Sequence, residues 1–85
     1  MSTKDKLIER FKKQPKDFTW DELIRLFGYF GFIVYNKGKT SGSRAIFSNG
    51  EKEYIIHKPH PKNIIKEASM DSILEFLMDN KFITK

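Results

Sequence analysis

The sequence predicts a single α+β domain in which a three-stranded antiparallel sheet packs against helices on one of its faces. Three observations support this class. A helix start followed by an apolar helical pattern occupies residues 18–31, strand and turn patterns fill residues 32–57, and a second apolar helical pattern covers residues 69–78. With 85 residues, of which 39% are apolar, the chain has material for one hydrophobic core, and a second independent domain is excluded.

The composition also limits the class of protein. Lysine and arginine outnumber aspartate and glutamate by 16 to 11, so the net charge is +5 and nucleic acid is the first partner to expect. The absence of cysteine excludes disulfides, a thiolate nucleophile and cysteine-ligated zinc, and it suits a reducing compartment. No apolar run approaches the roughly 20 residues that span a bilayer. We therefore expect a cytoplasmic protein with no membrane segment and no small-molecule cofactor.

The first helix is predicted to be short. Leu7, Ile8 and Phe11 lie at helical spacing between polar residues, and Pro15 prevents the pattern from continuing. So short a helix is marginal by itself, because helix nucleation is unfavourable.

A second helix begins at a more specific pattern. Thr19 and Glu22 form the T-x-x-E capping box, and Phe18 and Leu23 take the two positions of a hydrophobic staple. Gly31 is placed to end this helix in a left-handed conformation. The apolar residues between these ends share one broad side, which we expect to face the core: Leu23, Ile24, Leu26, Phe27 and Phe30.

Three strands are predicted in the centre of the chain, over residues 32–35, 44–48 and 51–57, because these segments are rich in β-branched and aromatic residues. The Gly- and Ser-rich residues 36–43 should form a hairpin loop between the first two strands. Asn49-Gly50 is typical of a two-residue type I′ turn, which would join the second strand to the third. The strands therefore form an antiparallel meander.

The type I′ turn predicts a register in which Ser48 faces Glu51 and Arg44 faces Ile55. Side chains alternate along a strand, so each face of the hairpin has its own set of residues. The face expected to pack against the helices carries Ala45, Phe47, Tyr54 and Ile56. The opposite face carries Arg44, Ile46, Glu53, Ile55 and His57. Arg44 and His57 are thus expected to lie diagonally, on the side turned away from the core.

A last helix is predicted after the sheet. Pro59 and Pro61 stop the third strand, and a linker leads to Ser69, which can cap the helix. Its apolar residues are Met70, Ile73, Leu74, Leu77 and Met78. The predicted element order is therefore α-α-β-β-β-α.

The loop before the second strand has the composition of an anion-binding site. Lys37, Lys39 and Arg44 surround glycines and the hydroxyls of Ser41 and Ser43, so backbone amides and cations can approach a phosphate together. An ordinary solvated hairpin loop has the same composition, and the sequence leaves both interpretations open.

Both histidines of the chain, His57 and His60, lie in one short proline-containing segment. Two histidines without a third ligand would leave a divalent ion undercoordinated, so no metal site is predicted. Imidazole titrates near pH 6.5, however, and can move protons at neutral pH. Cleavage of RNA by its own 2′-hydroxyl needs a base, an acid and a cation, which these histidines and Arg44 could supply. The alternative is that both histidines are inert surface residues.

Three segments together resemble the HicA toxin family, whose members are small RNA-cleaving partners of HicB antitoxins. They are GKTSGSRAIF at residues 38–47, IHKPHP at 56–61 and ILEFL at 73–77. The resemblance covers residues 18–83 of a single domain spanning 1–85, and residues 1–16 form an N-terminal helical extension. It implies an α-β-β-β-α fold like that of double-stranded-RNA-binding domains, metal-independent mRNA cleavage that arrests translation, and neutralisation by a HicB-like antitoxin.

The chain departs from the family pattern at one position. Typical HicA proteins carry a catalytic histidine directly after a Gly-Ser pair on the second strand, where this sequence has Arg44. Our hypothesis is that the histidine has moved across the sheet to His57. The predicted catalytic residues are His57, His60 and Arg44. The predicted RNA-binding residues are Lys37, Lys39, Ser41, Ser43, Lys58 and Lys62. The alternatives are a non-catalytic RNA-binding module and a domain that binds DNA or protein.

Overall fold

The computed structural model describes residues 3–35, 44–59 and 63–84, with Arg44 described by its backbone alone. Within these residues the elements are α1 (Thr3–Lys12), α2 (Trp20–Tyr29), β1 (Ile33–Tyr35), β2 (Arg44–Ser48), β3 (Glu53–His57) and α3 (Glu67–Asp79). The strands form one antiparallel sheet in the order β1-β2-β3. The predicted α+β class is confirmed. None of the helices described has the length and apolar character needed to cross a membrane.

Helix α2 begins and ends as the sequence predicts. The Glu22 backbone N–H donates to Thr19 Oγ1 at 3.1 Å, and the Thr19 backbone N–H donates to Glu22 Oε1 at 3.0 Å, which completes the capping box. Phe18 and Leu23, the two staple residues, are fully buried. Gly31 follows the C-cap with φ of +88°, a conformation in which a side chain would be strained. Local sequence therefore determines both ends of this helix.

The core lies between the helices and the inner face of the sheet. The ring of Phe27 on α2 stacks on that of Phe47 on β2, with ring centroids 4.1 Å apart and an interplanar angle of 13°. Trp20 also packs on Phe47, at 5.6 Å, and Phe76 on α3 contacts Tyr54 on β3 at 4.9 Å. The largest fully buried side chains are Phe11, Phe18, Phe27, Phe47, Leu23, Leu26, Met70, Ile73 and Leu77. The predicted inner face is confirmed.

The prediction of a two-residue type I′ turn is wrong. Residues 49–52 form the loop, and β3 begins at Glu53, which pairs with Ser48. Asn49 Oδ1 accepts hydrogen bonds from the backbone N–H groups of Glu51 at 2.9 Å and Lys52 at 2.7 Å. The Asn49 side chain thus binds backbone N–H groups that, in a two-residue turn, would be available to pair with β2. The register shifts by two residues, an even number, so both faces keep their predicted residues.

The prediction that Ser69 caps the last helix is also wrong. Helix α3 begins at Glu67, and its N-cap residue Lys66 makes no side-chain capping hydrogen bond. The start is set by tertiary pairing, because backbone hydrogen bonds of 3.0 and 2.8 Å join residues 63–65 to residues 18–20. The chain is therefore fixed in position immediately before α3. Strand β1 likewise starts one residue later than predicted, because the Phe32 N–H donates to Phe27 O at 3.0 Å.

Helix α1 packs into the same core. Phe11 is fully buried, and its ring meets that of Phe18 edge-on at 5.3 Å. Arg10 Nε donates to Glu22 Oε2 at 2.8 Å, and Arg10 Nη2 donates to Asp17 Oδ1 at 3.0 Å. Because Glu22 also belongs to the capping box of α2, this ion pair connects α1 to the start of α2.

The contact with Arg10 makes the stability of the fold sensitive to acid. The hydrogen bond from Arg10 holds the pKa of Glu22 below its usual value of 4.5, while partial burial opposes this and the Thr19 N–H adds to it. Such a carboxylate stabilises the fold above its unfolded pKa, and this contribution is lost as the pH falls through the folded pKa. We expect Glu22→Gln to lose less free energy of unfolding than the wild type between pH 7 and pH 3.

Urea unfolding at the two pH values measures this difference. Asp21→Asn changes an exposed neighbouring carboxylate and is the matched control, which should keep the wild-type difference. Equal pH dependence in the wild type and Glu22→Gln would contradict the role assigned to Glu22.

Gly28 is a position at which substitution by alanine should stabilise the fold. It lies exposed within α2, and a methyl group added there would meet no atom within 4 Å. Glycine loses more backbone entropy on folding than alanine, so Gly28→Ala should raise the free energy of unfolding by roughly 0.5–1 kcal/mol. Chemical denaturation measures the change. Gly31→Ala is the contrast and should destabilise, because φ is +88° at that position. A destabilised Gly28→Ala variant would contradict the prediction.

Candidate nucleic-acid interface

The sheet face that turns away from the helices, here called the outer face, carries cross-strand rows of residues set by the register. In the described strands, the first row is Ile33, Ser48 and Glu53, the second is Tyr35, Ile46 and Ile55, and the third is Arg44 and His57. The middle row of the outer face is therefore mainly aliphatic, and the row at one end holds the positions of Arg44 and His57.

Arg44 and His57 are directly opposite each other on β2 and β3. The predicted diagonal arrangement is wrong, because the four-residue loop moves β3 by two positions relative to β2. Directly opposite residues of antiparallel strands have Cα atoms about 4.5–5.5 Å apart and lie on the same face. The His57 side chain is exposed, and so is that of Lys58, which follows it. The two positions are thus closer than the sequence predicted.

The remaining predicted site residues lie outside the described residues. They are Lys37, Lys39, Ser41, Ser43, His60 and Lys62. The anion-binding loop and the second histidine therefore stay predictions, whereas β2 and β3 fix the positions of Arg44 and His57.

A groove of about 310 Å³ runs between β3 and the first half of α3, beside His57. Its lining includes His57, Lys58, Lys66 and Ser69. No local sequence pattern places Lys66 and Ser69, which are nine and twelve residues further along the chain, in one groove with His57. They come close because the segment before α3 pairs with the start of α2. Lys58 and Lys66, both exposed, thus line one groove at the edge of the sheet together with His57.

Tyr54 lines the groove and packs against α3. Burial raises the pKa of its phenol above the usual value, and a hydrogen bond with Ser72 partly opposes this effect. The ring of Tyr54 packs on Phe76 of the core. Tyr54 is therefore a packing residue that connects the groove floor to α3. Within the described ranges, no group of three His, Cys, Asp or Glu side chains is arranged to hold a metal ion.

The fold and the register of the sheet define a class: a small, basic α+β protein whose open sheet face carries an exposed histidine opposite the backbone position of an arginine. Residues 20–76, which are 57 of the 85 residues, match the family described as HicA toxin of bacterial toxin-antitoxin. The chain belongs to this family, and the resemblance seen in the motifs is confirmed. Comparisons with curated proteins and with solved structures gave no match. Helix α1 precedes the matched region, although it packs into the same core.

Proposed function

We propose that the chain is the toxin of a type II toxin–antitoxin system and cleaves mRNA in the cytoplasm without a metal ion, which arrests translation. The single observation that carries this proposal is the register of β2 and β3. It sets His57 directly across from Arg44, the position at which typical family members have their histidine. Membership of a toxin family and the net charge of +5 support the same function.

The proposed reaction needs no outside nucleophile. The RNA 2′-oxygen attacks the adjacent phosphorus and gives its proton to one imidazole, and the 5′-oxygen leaves with a proton from an acid. The P–O5′ bond breaks, which leaves a 2′,3′-cyclic phosphate and a 5′-hydroxyl. His57 and His60 move these protons. Arg44 stabilises the negative charge that develops on the phosphorane oxygens.

The flanking phosphates are held by cations and hydroxyls of residues that precede Arg44 or follow His57 in the sequence. In the proposal these are Lys37, Lys39, Ser41, Ser43, Lys58 and Lys62. Phosphate contacts of this kind position the strand without reading its sequence. We therefore expect RNA binding to weaken steeply as salt increases.

A second candidate function is RNA binding without cleavage. The observation that favours it is the arginine at position 44, because this residue cannot accept a proton at neutral pH. In that case the same end of the outer face would hold RNA, but nothing would be cut.

Incubation of the purified chain with an end-labelled transcript in excess chelator separates the two functions. Fragments that end in a 2′,3′-cyclic phosphate support the proposed cleavage, whereas intact bound RNA supports the binding module. Equal binding of RNA and DNA without cleavage would indicate a domain that binds DNA or protein. A transcript with a deoxynucleotide at the cleaved position lacks the nucleophile and is the matched control, which should stay intact.

A further inference from the structure

The positive charge of the chain is concentrated in its first segment. Residues 1–16 contain six lysine or arginine residues and two acidic residues, so they carry +4 of the net charge of +5. Residues 17–85 carry only +1, although they contain the proposed catalytic positions. Helix α1 lies in the first segment and precedes the region that matches the family, residues 20–76. Most of the charge that attracts a polyanion therefore lies outside the proposed catalytic site.

Helix α1 presents part of this charge on one side. Leu7 and Phe11 are buried and attach the helix to the core. Lys6 and Lys13 are exposed and seven residues apart, which is about two helical turns. The Lys13 backbone N–H donates to Arg10 O at 3.2 Å, so the last turn extends to Lys13. Lys6 and Lys13 therefore project on the same side of the helix.

The fold does not use the charges of Lys6 and Lys13. Arg10 is engaged by the two carboxylates described above, and Lys12 Nζ lies 3.9 Å from Glu9 Oε1. Among the residues that the structure describes, neither Lys6 nor Lys13 belongs to an ion pair. Their ammonium groups are thus available to an anionic ligand.

Two clefts connect these lysines to an arginine of α2. A cleft of about 550 Å³ is lined by Lys6, Arg10 and Lys13, together with one carboxylate, that of Glu9. A second cleft of about 180 Å³ is lined by Lys6, Arg10 and Arg25. Because Lys6 and Arg10 line both clefts, the two are contiguous, and Arg25 is exposed. We call Lys6, Lys13 and Arg25 the basic strip.

We propose that the basic strip is a second RNA-binding surface, which holds the phosphate backbone of the substrate away from the cleaved bond. The inference rests on the proposed function, since RNA is then the polyanion that the chain has to capture. Lysine and arginine bind phosphates without reading the bases. The strip belongs to helices that pack on the inner side of the sheet, whereas His57 is on the outer face. It therefore acts on binding and not on the chemical step.

The chemistry of the basic strip fits a nucleic-acid backbone better than a protein. Protein interfaces have a desolvated apolar centre. In the described part of the chain, the exposed large apolar side chains all lie outside α1 and α2. A phosphate backbone needs only cations, whose counterions are released when it binds. A second copy of the chain would bring the same net charge of +5 and is repelled.

One transcript can occupy both surfaces, because the described residues extend over only 39 × 29 × 21 Å. A strand that reaches the basic strip and His57 together is held at two places, which raises its affinity without any new contact at the cleaved bond. A short oligonucleotide around the cleaved position reaches only one of them. We therefore expect the strip to matter for long substrates and not for short ones.

The test compares two double variants of equal net charge. Lys6→Gln with Lys13→Gln removes two cations of the basic strip. Lys52→Gln with Lys81→Gln is the matched control, because it removes two exposed lysines that line neither cleft. The probe is a long 2′-O-methyl oligoribonucleotide, which binds but has no free 2′-hydroxyl to attack the phosphorus. Fluorescence anisotropy measures its affinity for each protein over a range of salt concentrations.

The strip variant should bind the probe roughly 10-fold more weakly than the wild type, and the slope of log affinity against log salt should fall by about 1.4, or about 0.7 for each lost contact with a single strand. The control should keep the wild-type slope, since charges beyond the Debye length are screened. Arg25→Gln tests the strip from α2 and should weaken binding in the same direction. Thermal unfolding should show that all variants are folded, because the changed side chains are exposed.

Single-turnover cleavage separates capture from chemistry. With a long transcript, the strip variant should need more protein to reach half of its maximal rate, but the maximal rate should not change. Cleavage of a short substrate should be the same as in the wild type.

Equal losses of affinity in the strip variant and the control would overturn the proposal, because net charge alone would then explain them. An unchanged salt slope in the strip variant, or a lower maximal rate, would also overturn it. If the wild type binds the probe but cuts no transcript, the proposed function fails, while the binding comparison still decides the role of the basic strip.

Discussion

Replacing His57 with alanine is expected to lower the rate of RNA cleavage by roughly 10²- to 10⁴-fold, the usual contribution of a general acid or base. Alanine cannot accept the proton of the 2′-hydroxyl or return it to a leaving oxygen. The side chain is exposed, so the free energy of unfolding should change by no more than about 0.5 kcal/mol. Single-turnover cleavage of a labelled transcript measures the rate, and thermal unfolding measures the stability.

The matched control for this variant is Glu53→Gln. Glu53 lies at the other end of β3 on the same outer face, so its substitution should leave the cleavage rate near that of the wild type. Expression of His57→Ala, His60→Ala and Arg44→Ala separately gives a second measurement. If all three variants arrest growth as strongly as the wild type, the assignment of catalysis to these residues is wrong.

The register also permits a more demanding experiment. Because positions 44 and 57 are directly opposite, exchanging their residues should keep the imidazole and the guanidinium on neighbouring positions of one face. We therefore expect the double variant Arg44→His with His57→Arg to cleave RNA faster than either single variant. A double variant no faster than the slower single variant would show that the two positions do not act as a pair.

The largest expected effect on stability comes from Phe27→Ala. Phe27 is fully buried and its ring lies near four others, with centroid distances of 4.1 Å to Phe47, 5.1 Å to Phe32, 6.2 Å to Tyr54 and 6.4 Å to Phe76. Truncation of such a residue leaves a cavity where helix and sheet meet, and it should lower the free energy of unfolding by about 3–5 kcal/mol. A domain of this size has a total of only about 5–15 kcal/mol, so much of the stability is lost.

Urea unfolding followed by the fluorescence of Trp20, which is buried against Phe47, measures this loss. The midpoint of thermal unfolding should fall by roughly 10 °C or more. Phe30→Ala makes the same chemical change at a half-buried position directly after α2 and is the control. It should cost less than half as much. Equal losses in the two variants would show that the core is not centred on Phe27.

Local sequence was sufficient for several features of this protein. The capping box, the left-handed Gly31 and the alternation of strand residues between two faces were predicted and are confirmed. Each of these depends on residues within about four positions of one another, so the sequence contains all the interacting groups. The faces were predicted correctly even though the turn was not, because a shift of two residues preserves the alternation.

The family could also be recognised from sequence, since three short segments carry the pattern and residues 20–76 match the family. The same segments pointed to residues 44 and 57 as candidate catalytic positions. Their relative position, in contrast, could not be predicted from the sequence. The distance between them depends on the length of the loop at residues 49–52, where the side chain of Asn49 competes for backbone donors.

The sequence by itself therefore determined the order of helices and strands, the residues of each sheet face and the family. Only the tertiary structure decided that Arg44 and His57 are directly opposite, that Lys66 and His57 line one groove, and that Ile33, Tyr35 and Ile55 are exposed. The physical reason is the range of the interactions. Caps and strand alternation act between near neighbours, whereas register, groove and exposed face result from contacts between segments that are distant in sequence, such as residues 18–20 and 63–65.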